Sequence, residues 1–313
     1  ARLTDLDGDG RGEILGLDLR SPRFQPDADT AASTRWRVME RVGDSFQEAA
    51  ILDNPTGVSP PLDRNLYQRP YGVSADFDGN GRMEWLTGDA DGDLLLFEAV
   101  GDDQYDLVWT EESDRHNAGQ RMAVGDFNGD GLPDFATFTP EFTASDLGTP
   151  AFGVLSVWSR SASAMPRLLA QAVFPGDSRT DGSLTAADFD DDGRDEVVVQ
   201  HALQLWVLTV DSEKLQPIYH RGTDEAALGP VGFSSPQMAV GRMAPGVAPS
   251  LFVSGLGGSL WRFQAQQIVP PVPRWVESVA LNEEAVHLRW VADGDSVAVY
   301  ASAVAAPFDI VAR

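Results

Sequence analysis

One phrase occurs four times in this chain, and it narrows the choice of fold more than any other feature. Asp188 opens DFDDDGRDEVVV, Asp5 opens DLDGDGRGEIL, Asp76 opens DFDGNGRMEWL, and Asp126 opens DFNGDGLPDFATF. In each copy positions 1, 3 and 5 are Asp or Asn, position 6 is Gly, and position 9 is Asp or Glu. Oxygens at 1, 3 and 5 converge only if the chain curls tightly, and Gly at 6 permits the backbone conformation that the curl needs. Position 7 can then offer its carbonyl, and the acid at 9 closes the cage. Hard oxygen ligands in a flexible cage of six or more suit Ca²⁺ better than Mg²⁺ or a transition metal. Without a cation the acids would repel one another. A single copy reads equally as a solvated Asp/Gly turn; four copies in one register do not.

An EF-hand loop begins the same way, but it needs a bidentate Glu at position 12 and a helix behind it. Position 12 here is Gly16, Thr87, Thr137 and Val199, none of them acidic. The residues that follow (ILGLDL, WLTG, FATF, VVVQ) are β-branched and aromatic strand material. The loops therefore join strands.

The chain of 313 residues carries a net charge of −25, which argues against nucleic-acid binding by phosphate neutralisation. Part of the excess is local, since the four loops supply 14 Asp or Glu ligand candidates. There is no cysteine, which rules out disulfides and thiolate metal sites. Calcium is abundant outside cells, where weak calcium modules are loaded. The expected location is therefore extracellular or at the cell surface, with the periplasm also compatible. No apolar run approaches the roughly 18 residues of a membrane span, so membrane insertion is not expected. The opening ARLTDLDGDG falls almost inside a repeat unit, which leads us to expect a mature or excised fragment.

Loop starts at 5, 76, 126 and 188 are 71, 50 and 62 residues apart. A fifth unit follows, in which MAVGRMAPGVAPSLFV (238–253) aligns with MAVGDFNGDGLPDFATF (122–138). There Arg242, Ala244 and Gly246 replace the first three ligands and Ser250 replaces the acid, so the unit is expected to be metal-free. Each unit reads as four strands, A to D. Strand A precedes the loop and strand B follows it. Strand C carries an aromatic (Trp36, Phe97, Trp158, Trp206, Trp261), expected to pack between units. Four strands repeating with no helical periodicity indicate the blades of an all-β propeller, about five of them visible.

The loops and the blade pattern together resemble the FG-GAP/VCBS repeats of integrin α-chain propellers and many bacterial secreted proteins, over residues 1–268. The resemblance implies about four Ca²⁺ ions, each held by loop positions 1, 3, 5, 7 (carbonyl) and 9. The first set is then Asp5, Asp7, Asp9, Arg11 and Glu13, and the second Asp76, Asp78, Asn80, Arg82 and Glu84. The third is Asp126, Asn128, Asp130, Leu132 and Asp134, and the fourth Asp188, Asp190, Asp192, Arg194 and Glu196. The chain departs from the family in its metal-free fifth unit and in showing about five blades where seven are common.

Beyond residue 268 the character changes. Residues 269–275 form a Pro-rich linker poorly suited to a blade strand. In 276–313, VHLRW and SVAVYAS alternate around a DGD turn and resemble the first half of a fibronectin type III domain, with Trp290 as its core tryptophan. That sandwich needs roughly 100 residues, so a truncated module is expected; the other reading is that this segment completes the last blade.

In a propeller the A–B and C–D loops share one face, and the B–C and D–A loops share the other. The long insertions fall on the second set: 20–33 and 139–151 as B–C loops, and 53–70, 112–120 and 221–235 as D–A loops. Insertions in a repeat fold often mark the binding face. These loops carry Arg20, Arg23, Phe24, Arg64, Tyr67, Arg69, Arg115, His116 and Arg221 in a chain with a single lysine, Lys214. Arginine forks pair with carboxylates and aromatics stack on sugar rings. Arg23, Phe24, Arg64, Tyr67, Arg69, Arg115 and His116 are therefore candidate ligand contacts, although the same arginines could simply neutralise neighbouring acids. No nucleophile–base arrangement is evident, and the acidic groups are accounted for by calcium. The leading expectation is a recognition or adhesion module for a carbohydrate or an extracellular protein, without catalysis. One alternative is a polysaccharide lyase of the rhamnogalacturonan-lyase type, for which Arg115 and His116 are the only candidate pair. The other is a ligand-free spacer of a large adhesin.

Overall fold

A computed structural model describes residues 2–17, 35–57, 72–89, 92–112, 121–142, 150–160, 165–175, 183–201, 204–221, 238–244, 247–254, 260–264, 275–282, 285–291, 300–301 and 309–310. The described residues are all β and turn. No helix among them is long and apolar enough to cross a membrane.

Four antiparallel four-stranded sheets follow one another in chain order. The first holds β1 (Arg2–Thr4), β2 (Glu13–Leu17), β3 (Arg35–Val42) and β4 (Ser45–Asp53). The second holds β5 (Gly72–Ala75), β6 (Glu84–Gly88), β7 (Leu94–Gly101) and β8 (Gln104–Glu111). The third holds β9 (Arg121–Gly125), β10 (Asp134–Phe142), β11 (Pro150–Ser159) and β12 (Arg167–Pro175). The fourth holds β13 (Ser183–Ala187), β14 (Glu196–His201), β15 (Gln204–Asp211) and β16 (Lys214–Arg221). A fifth sheet has three strands among the described residues: β17 (Met238–Gly241), β18 (Ser250–Ser254) and β19 (Leu260–Gln264). The strand order A to D expected in each unit is present in the first four; in the fifth, a strand D would lie outside the described residues.

The apolar runs explain the stacking. A strand with one wet face alternates; a strand buried on both faces reads as a continuous run. In β14, Val197 and Val199 point to one neighbouring sheet and Val198 to the other, and all three are fully buried. Likewise Trp85 of β6 joins a cluster with the first sheet, while the next residue, Leu86, joins one with the third. Four apolar layers result, one between each consecutive pair of sheets. The strand C aromatics Trp36, Phe97, Trp158 and Trp206 all lie in these layers, as expected. Edge-on ring pairs cross them: Trp36–Trp85 at 5.3 Å, Trp109–Trp158 at 5.6 Å and Phe174–Trp206 at 5.6 Å between centroids. The Trp261 side chain lies outside the described residues.

First strands sit next to first strands. β5 touches β9, β9 touches β13 and β13 touches β17. Between β1 and β5, Ser74 Oγ donates to Thr4 Oγ1 at 3.4 Å. The turns that leave these strands therefore line up along one end of the stack. Close approach has a consequence at Gly72, where a Cβ would lie 2.2 Å from Cζ2 of the fully buried Trp85. Gly72→Ala overpacks the layer between the first two sheets and should cost about 1–3 kcal/mol, read as a lower urea midpoint with an unchanged slope.

Two boundaries differ from expectation. The insertion expected over 139–151 is partly strand, since Thr139 pairs with Val154 and Phe142 with Pro150. Its β-branched and aromatic residues extend the β10–β11 ladder. Pro140 is tolerated because it lies past Phe138, the last β10 residue paired to β9, where no third strand needs its missing N–H. In the tail, β20 (Trp275–Asn282) pairs with β21 (Ala285–Val291), so Trp275 begins a strand rather than ending the linker. VHLRW thus pairs with the strand before it. The strand expected at 296–302 is described only at Tyr300–Ala301 (β22), paired with Asp309–Ile310 (β23); the DGD turn lies outside the described residues.

Candidate metal sites

All four acidic loops fold alike, and the likeness can be followed bond by bond. The carboxylate at position 1 accepts from the Gly N–H at position 6: Gly10 to Asp5 at 3.1 Å, Gly81 to Asp76 at 2.9 Å, Gly131 to Asp126 at 2.9 Å, Gly193 to Asp188 at 3.1 Å. Position 3 accepts from the N–H of position 5, and position 5 from the N–H of position 7. The acid at position 9 accepts from the N–H of position 2: Leu6 to Glu13, Phe77 to Glu84 at 2.7 Å, Phe127 to Asp134 at 3.1 Å, Phe189 to Glu196 at 2.8 Å. Position 2 is the anchor, because Leu6, Phe77, Phe127 and Phe189 are buried in the layers between sheets. Glycine at position 6 has φ near +85 to +90° in every loop, as its sequence position predicts. Position 4 is left-handed too, a feature not anticipated. Gly79 and Gly129 there also make room for the next loop, where Leu132 and Arg194 lean across them. In the fourth loop position 4 is Asp191, at φ +59°.

The sites differ in what converges. In the first loop carboxylate oxygens of Asp5, Asp7, Asp9 and Glu13 lie within 4.8 Å of one another. In the second the group is Asp76, Asp78 and Glu84, and in the fourth Asp188, Asp190 and Glu196, without Asp192. The third loop forms no such carboxylate group among the described residues. Asn128 takes its third position, and Asn128 Nδ2 and Ser159 hydrogen-bond Asp134.

Position 9 has the sharpest electrostatics. Glu13, Glu84 and Asp134 are fully buried and Glu196 is nearly so. Burial away from water pushes Glu13, Glu84 and Asp134 up to about 7 and Glu196 to about 8, with nearby acids adding to the effect. Oε1 of Glu13 has no hydrogen-bond partner. An anionic oxygen turned inward among like charges, with hard oxygen donors around it, is what a divalent cation would relieve. The residues therefore fit such an ion at the first loop most directly.

Several participants were not visible to motif reading. Glu40 and Glu98 sit on strand C directly across from Glu13 and Glu84. Like charges in that register are destabilising unless a cation intervenes. Arg11 Nη1 donates to Glu40 at 2.6 Å, and Arg160 from the third sheet reaches Glu84 and Asp78. The next hairpin turn also crowds the first loop, with the Asp103 N–H donating to Asp7 at 2.9 Å. In the fifth unit Arg242, at the first-ligand position, donates to the Val247 carbonyl at 3.0 Å and to Asp191 at 3.2 Å. A guanidinium thus organises a turn that lacks acids. The candidate ligand contacts Arg23, Phe24, Arg64, Tyr67, Arg69, Arg115 and His116 all lie outside the described residues.

Comparison with known proteins bears on this arrangement. Residues 76–137 match the FG-GAP-like repeat model, and residues 118–158 match the FG-GAP repeat model. Residues 76–158 are thus similar to FG-GAP repeats. These FG-GAP matches span the second and third acidic loops and the strands around them. No curated protein sequence matches the chain. The crystal structure of the V. cholerae biofilm matrix protein Bap1 aligns with it at a TM-score of 0.38 and 17% identity, covering 83% of this chain and 41% of that one. The chain thus corresponds to less than half the length of that protein.

Proposed function

We propose that the acidic loops hold Ca²⁺ and that the chain is a calcium-stapled segment of a β-propeller acting as an extracellular recognition or adhesion module. The observation that carries the calcium reading is the first loop: four carboxylates within 4.8 Å and a buried Glu13 oxygen with no partner. Asp5, Asp7, Asp9 and Glu13 would hold the ion there, with the carbonyl of Arg11. The equivalent sets at 76–84, 126–134 and 188–196 follow from the shared loop geometry. Calcium would neutralise oxygens that burial has pushed toward protonation, and so fasten each A–B turn to the sheet behind it. The propeller reading is supported by consecutive sheets packed face to face with their first strands adjacent.

Such a chain needs no catalytic group to work. Calcium would close one end of the stack, leaving contact with a partner to the arginine-bearing insertions. The partner we propose is an acidic carbohydrate or an acidic extracellular protein, contacted by the arginine-bearing insertions. Replacing Arg64 and Arg69 together with alanine should weaken retention on immobilised acidic polysaccharide about tenfold or more, with retention falling steeply in salt. Unchanged retention would remove this face from the reading. The fibronectin-type reading of 276–313 stands as a proposal alongside it.

A further inference from the structure

The second acidic loop differs from the other three in what faces it. Arg160 follows β11 and crosses from the third sheet to the second. Its Nη1 lies 2.6 Å from Oε1 of Glu84, and its Nη2 lies 3.0 Å from Oδ2 of Asp78 and 3.6 Å from Oε2 of Glu98. The arginine side chain is 11% exposed, and its three partners are 0%, 7% and 10% exposed. A single fork is therefore sealed among three carboxylates, two of which are the third and ninth positions of the loop.

The oxygen that Arg160 takes on Glu84 is the one left over after the Phe77 N–H has used Oε2. The corresponding oxygen of Glu13 has no partner. In the third loop the corresponding oxygen of Asp134 faces the neutral amide of Asn128 at 3.4 Å. One place in a shared geometry is thus empty in the first loop, neutral in the third and cationic in the second. A divalent ion entering the second loop meets oxygens already neutralised by a desolvated guanidinium whose two Nη groups are paired and whose Nε is not. To use them it must displace a guanidinium whose burial is tolerable only while it is paired.

Building on the calcium reading above, we propose that Arg160 is a resident counter-ion that makes the second loop the weakest of the calcium sites. The second loop then fills last, and its filling trades an ion pair between the second and third sheets for a metal within the second. The arginine is a positioning residue for the loop.

Calcium titration by isothermal calorimetry on wild type, Asp76→Asn, Arg160→Gln and the double variant tests this. Asp76 is a loop ligand outside the three carboxylates that Arg160 pairs with, so Asp76→Asn reports which binding phase belongs to the second loop. We expect Asp76→Asn to remove only the weakest phase. We expect Arg160→Gln to tighten that phase by at least about tenfold, and the double variant to lose it again. Loss of a tight phase in Asp76→Asn overturns the proposal, and this comparison needs no change at Arg160. A second-loop phase unmoved in Arg160→Gln, with only thermal stability lowered, assigns Arg160 a purely structural role and overturns it as well. Four equal sites in wild type sink this inference alone; no calcium binding at all sinks the calcium reading and this inference together.

Discussion

Stripping calcium with a chelator is expected to lower the melting temperature of this protein by about 15 °C or more. An ion at 100 times its dissociation constant stabilises the folded state by about 2.7 kcal/mol. Three such sites would contribute roughly 8 kcal/mol, and in a domain of this size each kcal/mol moves the midpoint by about 2–4 °C. The effect should also depend on pH in a definite direction. In the metal-free protein the folded-state pKa values of Glu13, Glu84 and Asp134 are raised to about 7 and that of Glu196 to about 8. A raised pKa means that the folded protein holds these protons more tightly than the unfolded chain. The resulting stability is fully present below about pH 4 and is lost as pH rises through 7 to 8. Calcium needs the ionised acids, so its contribution grows over that same interval. Melting curves with calcium and with chelator should therefore separate as pH is raised from 5 to 8. A separation that stays constant or closes would show that these carboxylates are not the calcium ligands.

Glu13→Gln should change stability in opposite directions with and without calcium. In chelator the variant loses a buried charge that faces Asp5, Asp7, Asp9 and the cross-strand Glu40, and its melting temperature should rise by several degrees. In calcium it loses a proposed ligand of the first site, and its melting temperature should fall below that of wild type. The matching change in the second loop should not behave so. Glu84→Gln leaves Arg160 buried with a lost partner, which costs about 3 kcal/mol or more, so its melting temperature should fall even in chelator. Differential scanning calorimetry on both variants, each with calcium and with chelator, gives the four numbers needed. A fall for Glu13→Gln in chelator would mean that its orphan oxygen is not a source of strain.

The two variants separate because the four loops share a sequence grammar but not an environment. The grammar is local. Position 1 to position 6, position 3 to position 5 and position 9 to position 2 are all bonds within nine residues, and the residue types at those positions specify them. So are the two-residue hairpins at Asp102–Asp103 and Ser212–Glu213, and the strands on either side of each loop. The double burial of β14 was implicit in the run VVV, and the position of Trp36, Phe97, Trp158 and Trp206 in the layers between sheets followed from the repeat. The left-handed residue at position 4 was the local feature that motif reading missed.

What the sequence by itself determined is therefore the unit: strand, acidic turn, strand, and an apolar face on each side that has to be covered. Which distant cation meets the second turn, and which acid the fifth turn's arginine reaches, was decided by the stacking of units. Arg160 lies 76 residues from Glu84, and Arg242 lies 51 residues from Asp191. Glu40 comes opposite Glu13 only after β2 and β3 pair in one register. Local hydrogen bonds depend on residues a few positions apart, so they can be read from a short window. A charge's surroundings depend on whatever the neighbouring sheet carries to the same place, and no window contains both.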